Sequence, residues 1–141
     1  MAFLNSLNTI GSALTAERYR MDVAAQNIAN QNTAASSPEE AYQRKQVVFQ
    51  ERYMSFDEQL QRVQGGGVRI SEIVELGEDV TPVYDPTNPI ADENGYVYHP
   101  NVNNTEEQID LLEASRAYEA NLTALSVVKA MATKGLEIGK Q

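Results

Sequence analysis

Few residues of this 141-residue chain have side chains from which catalytic sites are built. The chain has no cysteine to act as a nucleophile or thiolate ligand, and its one histidine, His99, stands between a strand-like segment and Pro100. A general base needs partners that orient it, so a single histidine in this setting favours a packing or surface role. The sequence therefore predicts no enzymatic activity, no metal site and no cofactor.

Two other segments resemble ligand-binding loops only in part. Asp92, Asn94 and Gly95 lack the spacing of a calcium-binding loop and the glutamate at its twelfth position. The glycines at 65–67 lack the lysine and helix start of a phosphate-binding loop. We predict that residues 85–95 form a turn-rich loop, that the glycine run is a flexible turn, and that the carboxylates of 72–93 are solvated.

The charge of the chain excludes one class of partner. Twenty acidic against eleven basic residues give a net charge of −9, and residues 68–100 contain seven of the acids with one base, Arg69. Phosphate groups would repel such a surface, so we expect no nucleic-acid partner. No apolar run approaches the roughly 20 residues of a membrane span, so we expect no membrane insertion. The first 20 residues lack a basic region followed by a continuous apolar core, so we expect no cleaved signal peptide.

Residues 1–33 are predicted to form the N-terminal helix of a coiled-coil domain. Apolar residues recur every seven positions and are interleaved with a second row, the alternation of three and four that is typical of helix-against-helix packing. The two rows are Leu7, Leu14, Met21, Ile28 and Phe3, Ile10, Ala24, with Glu17 as the charged interruption. Turn-forming residues and Pro38 follow this pattern.

Residues 105–141 are predicted to form the C-terminal helix of the same domain. Thr105, with Gln108 three positions later, is a candidate capping box. Acidic residues in the first turns and lysines toward the end suit the helix dipole. The predicted seam, with Lys129 as a break, is Leu111, Ser115, Tyr118, Leu122, Leu125, Ala132 and Leu136, widened by Leu112, Val128 and Met131.

Residues 34–104 are predicted to be a linker, β-strands and the turn-rich loop. The alternation of β-branched and aromatic residues indicates strands at 47–56, 68–76, 80–84 and 95–99, and Asn94-Gly95 suits a tight turn. The expected fold class is therefore α+β: long N- and C-terminal helices that pair as a coiled coil, with a small β-rich region between them.

The two helical seams leave more than one interpretation open. They could pack on each other alone within a monomer, as helix pairs often do. Two narrow stripes would then keep exposed apolar edges, and a two-helix coil usually needs further neighbours to bury both sides. An assembling subunit meets that need, and so does a helical adaptor that binds a partner helix in its groove.

Three longer segments carry a resemblance to a known family. Residues 12–33 contain the block Asn27-Ile28-Ala29-Asn30, residues 83–103 read VYDPTNPIADENGYVYHPNVN, and residues 113–139 contain Arg116, Tyr118, Glu119, Ala120 and Asn121. In these segments the chain resembles the axial proteins of the bacterial flagellum, and among them the proteins of the proximal rod. The resemblance covers nearly the whole chain.

The resemblance implies a structural role without catalysis. The terminal helices would pair as a coiled coil that lines an axial tube, and stacked subunits would form a torque-transmitting drive shaft in the periplasm. The implied partners are other copies of the chain, other rod proteins of the proximal and distal rod, the rod-to-ring adaptor FliE and the flagellar type III export apparatus. Another rod segment is a further alternative.

The seams and the family blocks together predict a set of subunit-interface residues. They are Leu7, Ile10, Leu14, Arg18, Met21, Asn27, Ile28, Asn30, Leu111, Arg116, Tyr118, Glu119, Asn121, Leu122, Leu125 and Val128.

Overall fold

The fold was determined as a computed structural model that describes residues 2–52, 66–77 and 80–139. Its elements in chain order are α1 (Ala2–Asn30), β1 (Arg44–Glu51), β2 (Val68–Leu76), β3 (Thr81–Tyr84), β4 (Tyr96–His99) and α2 (Asn104–Ile138). This order confirms the predicted α+β class, with a long helix at each end and a small β region between them. The strand predicted at 68–76 is found with these ends and the other three with shifted ends, and residues 53–56 of the first prediction lie outside the described residues.

The chain divides into two compact units, and unit 1 contains Met1–Tyr19, Val48–Glu72 and Glu113–Gln141, whereas unit 2 contains Arg20–Val47 and Ile73–Leu112. The beginning of α1 is thus grouped with the end of α2, and the end of α1 with the beginning of α2. In unit 2 the end of α1 and the beginning of α2 run antiparallel, since Arg20 contacts Asp110 and Asn27 contacts Glu107. Pairing between the two terminal helices, as the seams predict, therefore joins parts of the chain that are far apart in sequence.

Helix α1 ends at Asn30, three residues before the predicted boundary. The backbone N–H of Gln31 bonds the carbonyl of Ile28 at 3.4 Å, and that of Thr33 bonds the carbonyl of Asn30 at 3.0 Å. These tighter turns replace the helical pattern because the Gln-Asn-Thr run favours local turns over a further helical turn.

Helix α2 begins differently from the prediction. Its first residue is Asn104, and Asn103 is the cap: the Asn103 Oδ1 accepts the backbone N–H of Thr105 at 3.0 Å, and its Nδ2 donates to Glu106 Oε1 at 3.1 Å. The capping box at Thr105 was therefore wrong. Gln108 instead donates to the side chain of Asn104 at 3.0 Å, one turn earlier on the helix surface.

The covered row of α2 is also shifted from the predicted seam. Leu122 is 49% exposed and Leu136 is 71% exposed, so neither belongs to it. The residues that are buried or half-buried at alternating steps of four and three are Glu107, Leu111, Ala114, Tyr118, Asn121, Leu125, Val128 and Ala132. The period was correct, but Ala114 and Asn121 lie in the covered row where the prediction had Ser115 and Leu122.

In unit 1, the start of β2 is fastened to α1. The N–H of Val68 donates to Ser12 Oγ at 3.0 Å, and the Ser12 hydroxyl donates in turn to the carbonyl of Thr9 at 2.7 Å. Gly67 precedes this contact with φ +96°, and a Cβ at that position would lie 2.3 Å from Ser12 Oγ. Glycine is needed here both for the backbone conformation and for the close approach of strand to helix. Strands β1 and β2 are neighbours in a two-stranded sheet.

In unit 2, β3 and β4 form an antiparallel hairpin in which Thr81 faces His99 and Tyr84 faces Tyr96. Asp92 Oδ1 accepts the N–H groups of Asn94 (2.9 Å) and Tyr96 (2.8 Å), and Gly95 has φ +82°. The predicted tight turn at Asn94-Gly95 is confirmed. The other edge of β4 pairs with Ala35 through two backbone hydrogen bonds to Tyr98.

We predict that Gly67→Ala destabilises the chain by roughly 2–4 kcal/mol, because the substitution adds a left-handed backbone penalty to a steric clash with Ser12. Thermal and urea unfolding followed by circular dichroism measure the change. The matched control is Gly11→Ala on α1, where a Cβ would meet nothing within 4 Å. That variant should be up to about 1 kcal/mol more stable, since alanine is the better helix former. Equal effects of the two variants would contradict this account of Gly67.

Candidate functional site

A buried polar cluster joins three elements of unit 2 around Asn27, which is 1% exposed. Asn27 Oδ1 accepts the hydroxyl of Tyr42 (2.8 Å) and the N–H of Lys45 (3.0 Å). Its Nδ2 donates to the carbonyl of Lys45 (2.8 Å) and to Glu107 Oε2 (2.9 Å). A carboxamide has two donors and two acceptor lone pairs, so all four are used. We call Asn27, Tyr42, Arg44, Lys45 and Glu107 the Asn27 cluster.

Glu107 is the charged centre of the Asn27 cluster. It is 1% exposed, and Arg44 Nε donates to its Oε1 at 2.6 Å while Asn27 occupies Oε2. A buried carboxylate without a cation and hydrogen bonds would cost several kcal/mol of desolvation. Here one arginine and one amide satisfy it, at the beginning of a helix where the dipole also favours negative charge.

Tyr42 closes the cluster on the linker side. Burial raises the pKa of the Tyr42 phenol above its ordinary value, and the negative charges of Glu107 and Glu75 raise it further. The phenol therefore remains protonated at neutral pH and donates to Asn27. The ammonium group of Lys45 lies 5.7 Å from the Tyr42 ring centroid and 3.7 Å from a carboxylate oxygen of Glu75.

A second link between the helices lies nearly two turns of α1 away from Asn27. Arg20 forms an ion pair with Asp110, and both side chains are partly exposed. Together with the bond between Asn27 and Glu107, this ion pair fixes which residues of α1 face which residues of α2 in unit 2. The Asn27 cluster is thus suited to setting helix register rather than to chemistry, because Asn27 uses all its donors and acceptors and both oxygens of Glu107 are bonded within the subunit.

The structure places the predicted interface residues in three environments. Asn27 is buried, so its side chain can affect an interface only through the elements that it holds. Asn30 and Asn121 each donate to a carbonyl of their own helix, at 2.8 and 2.9 Å. The exposed members are Arg18, Arg116, Glu119 and Leu122, and the half-buried ones are Leu7, Ile10, Leu14, Met21, Ile28, Asn30, Leu111, Tyr118, Asn121, Leu125 and Val128.

The sequence analysis did not identify Tyr42, Arg44, Lys45 or Glu107. Glu107 could have been found, because it lies four residues before Leu111. It therefore continues the spacing of the predicted seam by one further position toward the start of the helix. The other three lie 15–18 residues after Asn27, in a segment with no periodicity that points to the helices.

The residues first considered for chemistry have structural positions. Asp92 holds the hairpin turn, and the backbone N–H of Tyr96 is the main reason that its pKa is lowered, with Asn94 and Tyr98 contributing. His99 is half-buried at the end of β4. Within residues 2–52, 66–77 and 80–139, no three histidine, cysteine or acidic side chains are grouped as a metal site would require. None of the helices in this part of the chain has the length and apolar character needed to span a membrane.

Comparison with known proteins gives a consistent result. Residues 7–34 match the family model described as flagella basal body rod protein, and residues 93–138 match that of the flagellar basal body rod FlgEFG protein C-terminal region. The chain is 43% identical to the flagellar basal-body rod protein FlgC of Bacillus subtilis (strain 168), across 99% of this chain and 100% of that protein. It is 39% identical to FlgC of Salmonella typhimurium (strain LT2), with the same coverage. Its identity to FlgC of Borreliella burgdorferi is 36%, over 98% of each chain.

The saturation of Asn27 leads to a stability prediction. We expect Asn27→Leu to cost roughly 3 kcal/mol, because it leaves the Glu107 carboxylate and the backbone of Lys45 buried with fewer partners. Urea unfolding measures the cost. Asn30→Leu is the matched control, since it removes only two exposed bonds, with Gln26 and Thr33, from another asparagine of the same block and should cost less than about 1 kcal/mol. A loss at Asn30 as large as that at Asn27 would contradict the assignment.

The raised pKa of Tyr42 gives a pH dependence with a definite sign. The unfolded chain releases the phenol proton near 10.0, whereas the folded chain holds it to higher pH. This contribution to stability is therefore complete below pH 10 and is lost as the pH rises through the folded pKa. We expect the free energy of unfolding to fall less steeply above pH 10 in Tyr42→Phe than in the unsubstituted chain. Parallel curves for the two proteins would rule out a shifted Tyr42.

Proposed function

Since the chain belongs to the family of flagellar basal-body rod proteins named FlgC, we propose that it is a structural subunit of the proximal rod, which stacks helically with copies of itself to form a torque-transmitting drive shaft. The family is structural rather than enzymatic, and the side-chain polar atoms of Asn27 and Glu107, which are all bonded within the subunit, accord with this role. The subunit would be held to its neighbours through faces of α1 and α2 that its own fold leaves uncovered.

One observation carries the proposal beyond the family name: α2 has a second apolar face. Val127 is 53% exposed, Met131 67% and Ile138 77%. These residues are spaced by four and seven, so they lie on one side of the helix, next to the covered row. Two exposed alanines, Ala120 and Ala124, extend the same side toward the start of the helix. We call these five residues the outer face of α2.

The outer face of α2 is difficult to reconcile with a subunit that remains alone. Contiguous apolar surface on a helix typically indicates an interface, and small residues such as alanine let a neighbouring helix approach closely. A surrounding ring of helices from other subunits would cover it. The half-buried seam residues and exposed Arg18, Arg116 and Glu119 would then contribute to contacts and register between subunits.

The finer parts of the proposal concern partners and place. We infer that the subunit contacts other copies, the other proximal and distal rod proteins and the adaptor FliE. We also infer that it reaches the periplasmic rod through the flagellar type III export apparatus, without a cleaved signal peptide. We further propose that the end segments 1–33 and 105–141 make these contacts and that the middle section 34–104 separates them.

The proposal predicts that the chain is recovered with detergent-extracted basal bodies from its native host and that Met131→Glu is depleted from them at least tenfold. A charge on the outer face would have to be buried against a neighbour, whereas in the isolated subunit Met131 is already in water. Immunoblotting of the sedimented basal bodies, together with motility in soft agar, measures both effects.

Lys129→Glu is the control for charge, since Lys129 is exposed on α2 but lies off the outer face. It should be incorporated like the unsubstituted chain. Leu125→Lys, in the covered row, should fail both to fold normally and to assemble. If the unsubstituted chain stays in the cytosol, the rod proposal fails and the helical adaptor becomes the better interpretation.

A further inference from the structure

The β3–β4 hairpin of unit 2 exposes an aromatic surface. Tyr84 is 63% exposed and Tyr96 is 40% exposed, and their rings meet edge to face with centroids 5.3 Å apart. The pairing of Tyr84 with Tyr96 and of Pro82 with Tyr98 puts all four side chains on one side of the hairpin. We call this side the tyrosine face. Exposed tyrosines held in a fixed pair are typical of contact surfaces, because little side-chain entropy remains to be lost on binding.

Carboxylates lie beside the tyrosine face and carry no internal cation. Asp92 Oδ2 is 3.4 Å from the Tyr98 hydroxyl, which places this carboxylate next to the rings. Asp85 and Glu93 belong to the same loop, and the described residues give none of the three a basic partner. The backbone donors that lower the pKa of Asp92 keep it ionised well below neutral pH. The surface therefore combines aromatic rings with fixed negative charge, which suits an arginine.

The edge of the hairpin argues against binding by strand addition. Because Tyr98 bonds Ala35 and Asp85 bonds Gly95, the outward-facing positions of β3 are Pro82 and Tyr84. Proline has no N–H to offer an added strand. A partner of this hairpin would thus contact the side chains of the tyrosine face rather than extend the sheet.

Unit 1 has a groove with the complementary character. An open cavity of about 580 Å³ is lined by Ser12, Thr15, Ala16, Arg52, Val68, Arg69 and Ile70. Ser12 and Thr15 direct their hydroxyls to carbonyls of α1, at 2.7 and 3.0 Å, so the free donors of the cavity are those of the arginines. We call it the arginine groove.

The arginines of this groove differ from four other bases in the described part of the chain. Arg20, Arg44, Lys45 and Lys134 are in ion pairs within the subunit. Arg52 and Arg69 are exposed, and no carboxylate in the described part of the chain pairs with either; Arg69 donates to Gln50 at 2.9 Å. Val68, Ile70 and Ala16 supply the apolar part of the lining.

We propose that the tyrosine face of one subunit docks into the arginine groove of a second copy of this chain, which deepens the proposed function and rests on it. The rings would cover the apolar part of the lining, while the carboxylates of the hairpin loop would pair with Arg52 and Arg69. Both complementary surfaces belong to the same chain, so a second copy is the occupant that the charges favour. A contact between two different surfaces of identical subunits repeats from one copy to the next. If the rotation between copies does not close a ring, the repeat is an open helix, which is what a helical stack requires.

Disulfide trapping tests the contact, because the chain has no cysteine of its own. Two versions with tags of different size are expressed together in the native host, one with Tyr84→Cys and the other with Arg69→Cys. After mild oxidation of sedimented basal bodies, we expect a covalent dimer with the mixed mass. Pairing Tyr84→Cys with Lys129→Cys, an exposed position on α2, is the matched control and should give at least tenfold less.

Charge exchange is the second measurement, for the case in which a cysteine version is poorly incorporated. Arg69→Glu and Glu93→Arg should each lower the amount of chain in basal bodies several-fold, and the two versions expressed together should restore it. Normal incorporation of each single charge variant, or the absence of a mixed dimer when both cysteine versions are incorporated, would overturn the docking proposal but leave the rod assignment intact. Failure of the unsubstituted chain to sediment with basal bodies would instead overturn the rod assignment itself.

Discussion

Burial of one carboxamide and one carboxylate is the constraint around which unit 2 is organised. Asn27 and Glu107 are both 1% exposed, and each is stable there only because the other and the segment from Tyr42 to Lys45 complete their hydrogen bonds. An apolar pair of similar volume would tolerate several helix registers, whereas a saturated amide tolerates one. A slip of a single turn between α1 and α2 would leave at least two buried polar groups without partners. The register between α1 and α2 is therefore set by the free-energy cost of burying these polar groups without partners in any other register.

This constraint determines which surfaces remain for other contacts. With Glu107 and Ala114 turned toward the interior, the residues of α2 beside this row face outward. The apolar residues among them are thus exposed as a consequence of helix geometry and of the polar cluster, rather than through poor packing. The hairpin and the start of β2 are fastened separately, by Asp92 and by Ser12. Each of the two proposed contact surfaces consequently rests on its own local hydrogen bonds.

The sequence predicted those features that depend on neighbours along the chain. The helical period, the strands and the turn at Asn94-Gly95 follow from residue types a few positions apart. The cap of α2 was missed because Asn103, Asn104 and Thr105 are all good capping residues, and local preference does not choose among them. The Asn27 cluster was missed because its bonds span up to 80 residues. The predicted interface residues include Asn27, although its contacts lie inside the subunit. A family sequence motif indicates that a residue is required, but not whether it stabilises the subunit or contacts a neighbour.

The distance in sequence between α1 and its partners in α2 has a consequence for how the chain folds. A ribosome releases α1 first, and the residues that its far end must contact, Glu107 and Asp110, follow only after the entire β region. Helix α1 cannot be completed by its own partner during most of synthesis, and its apolar stripe stays open to other proteins for that interval. Folding that waits for such distant contacts is slow compared with that of a helical hairpin with a short loop. Until α2 has been synthesised, Arg20 and Asn27 lack the partners that they have in the folded subunit.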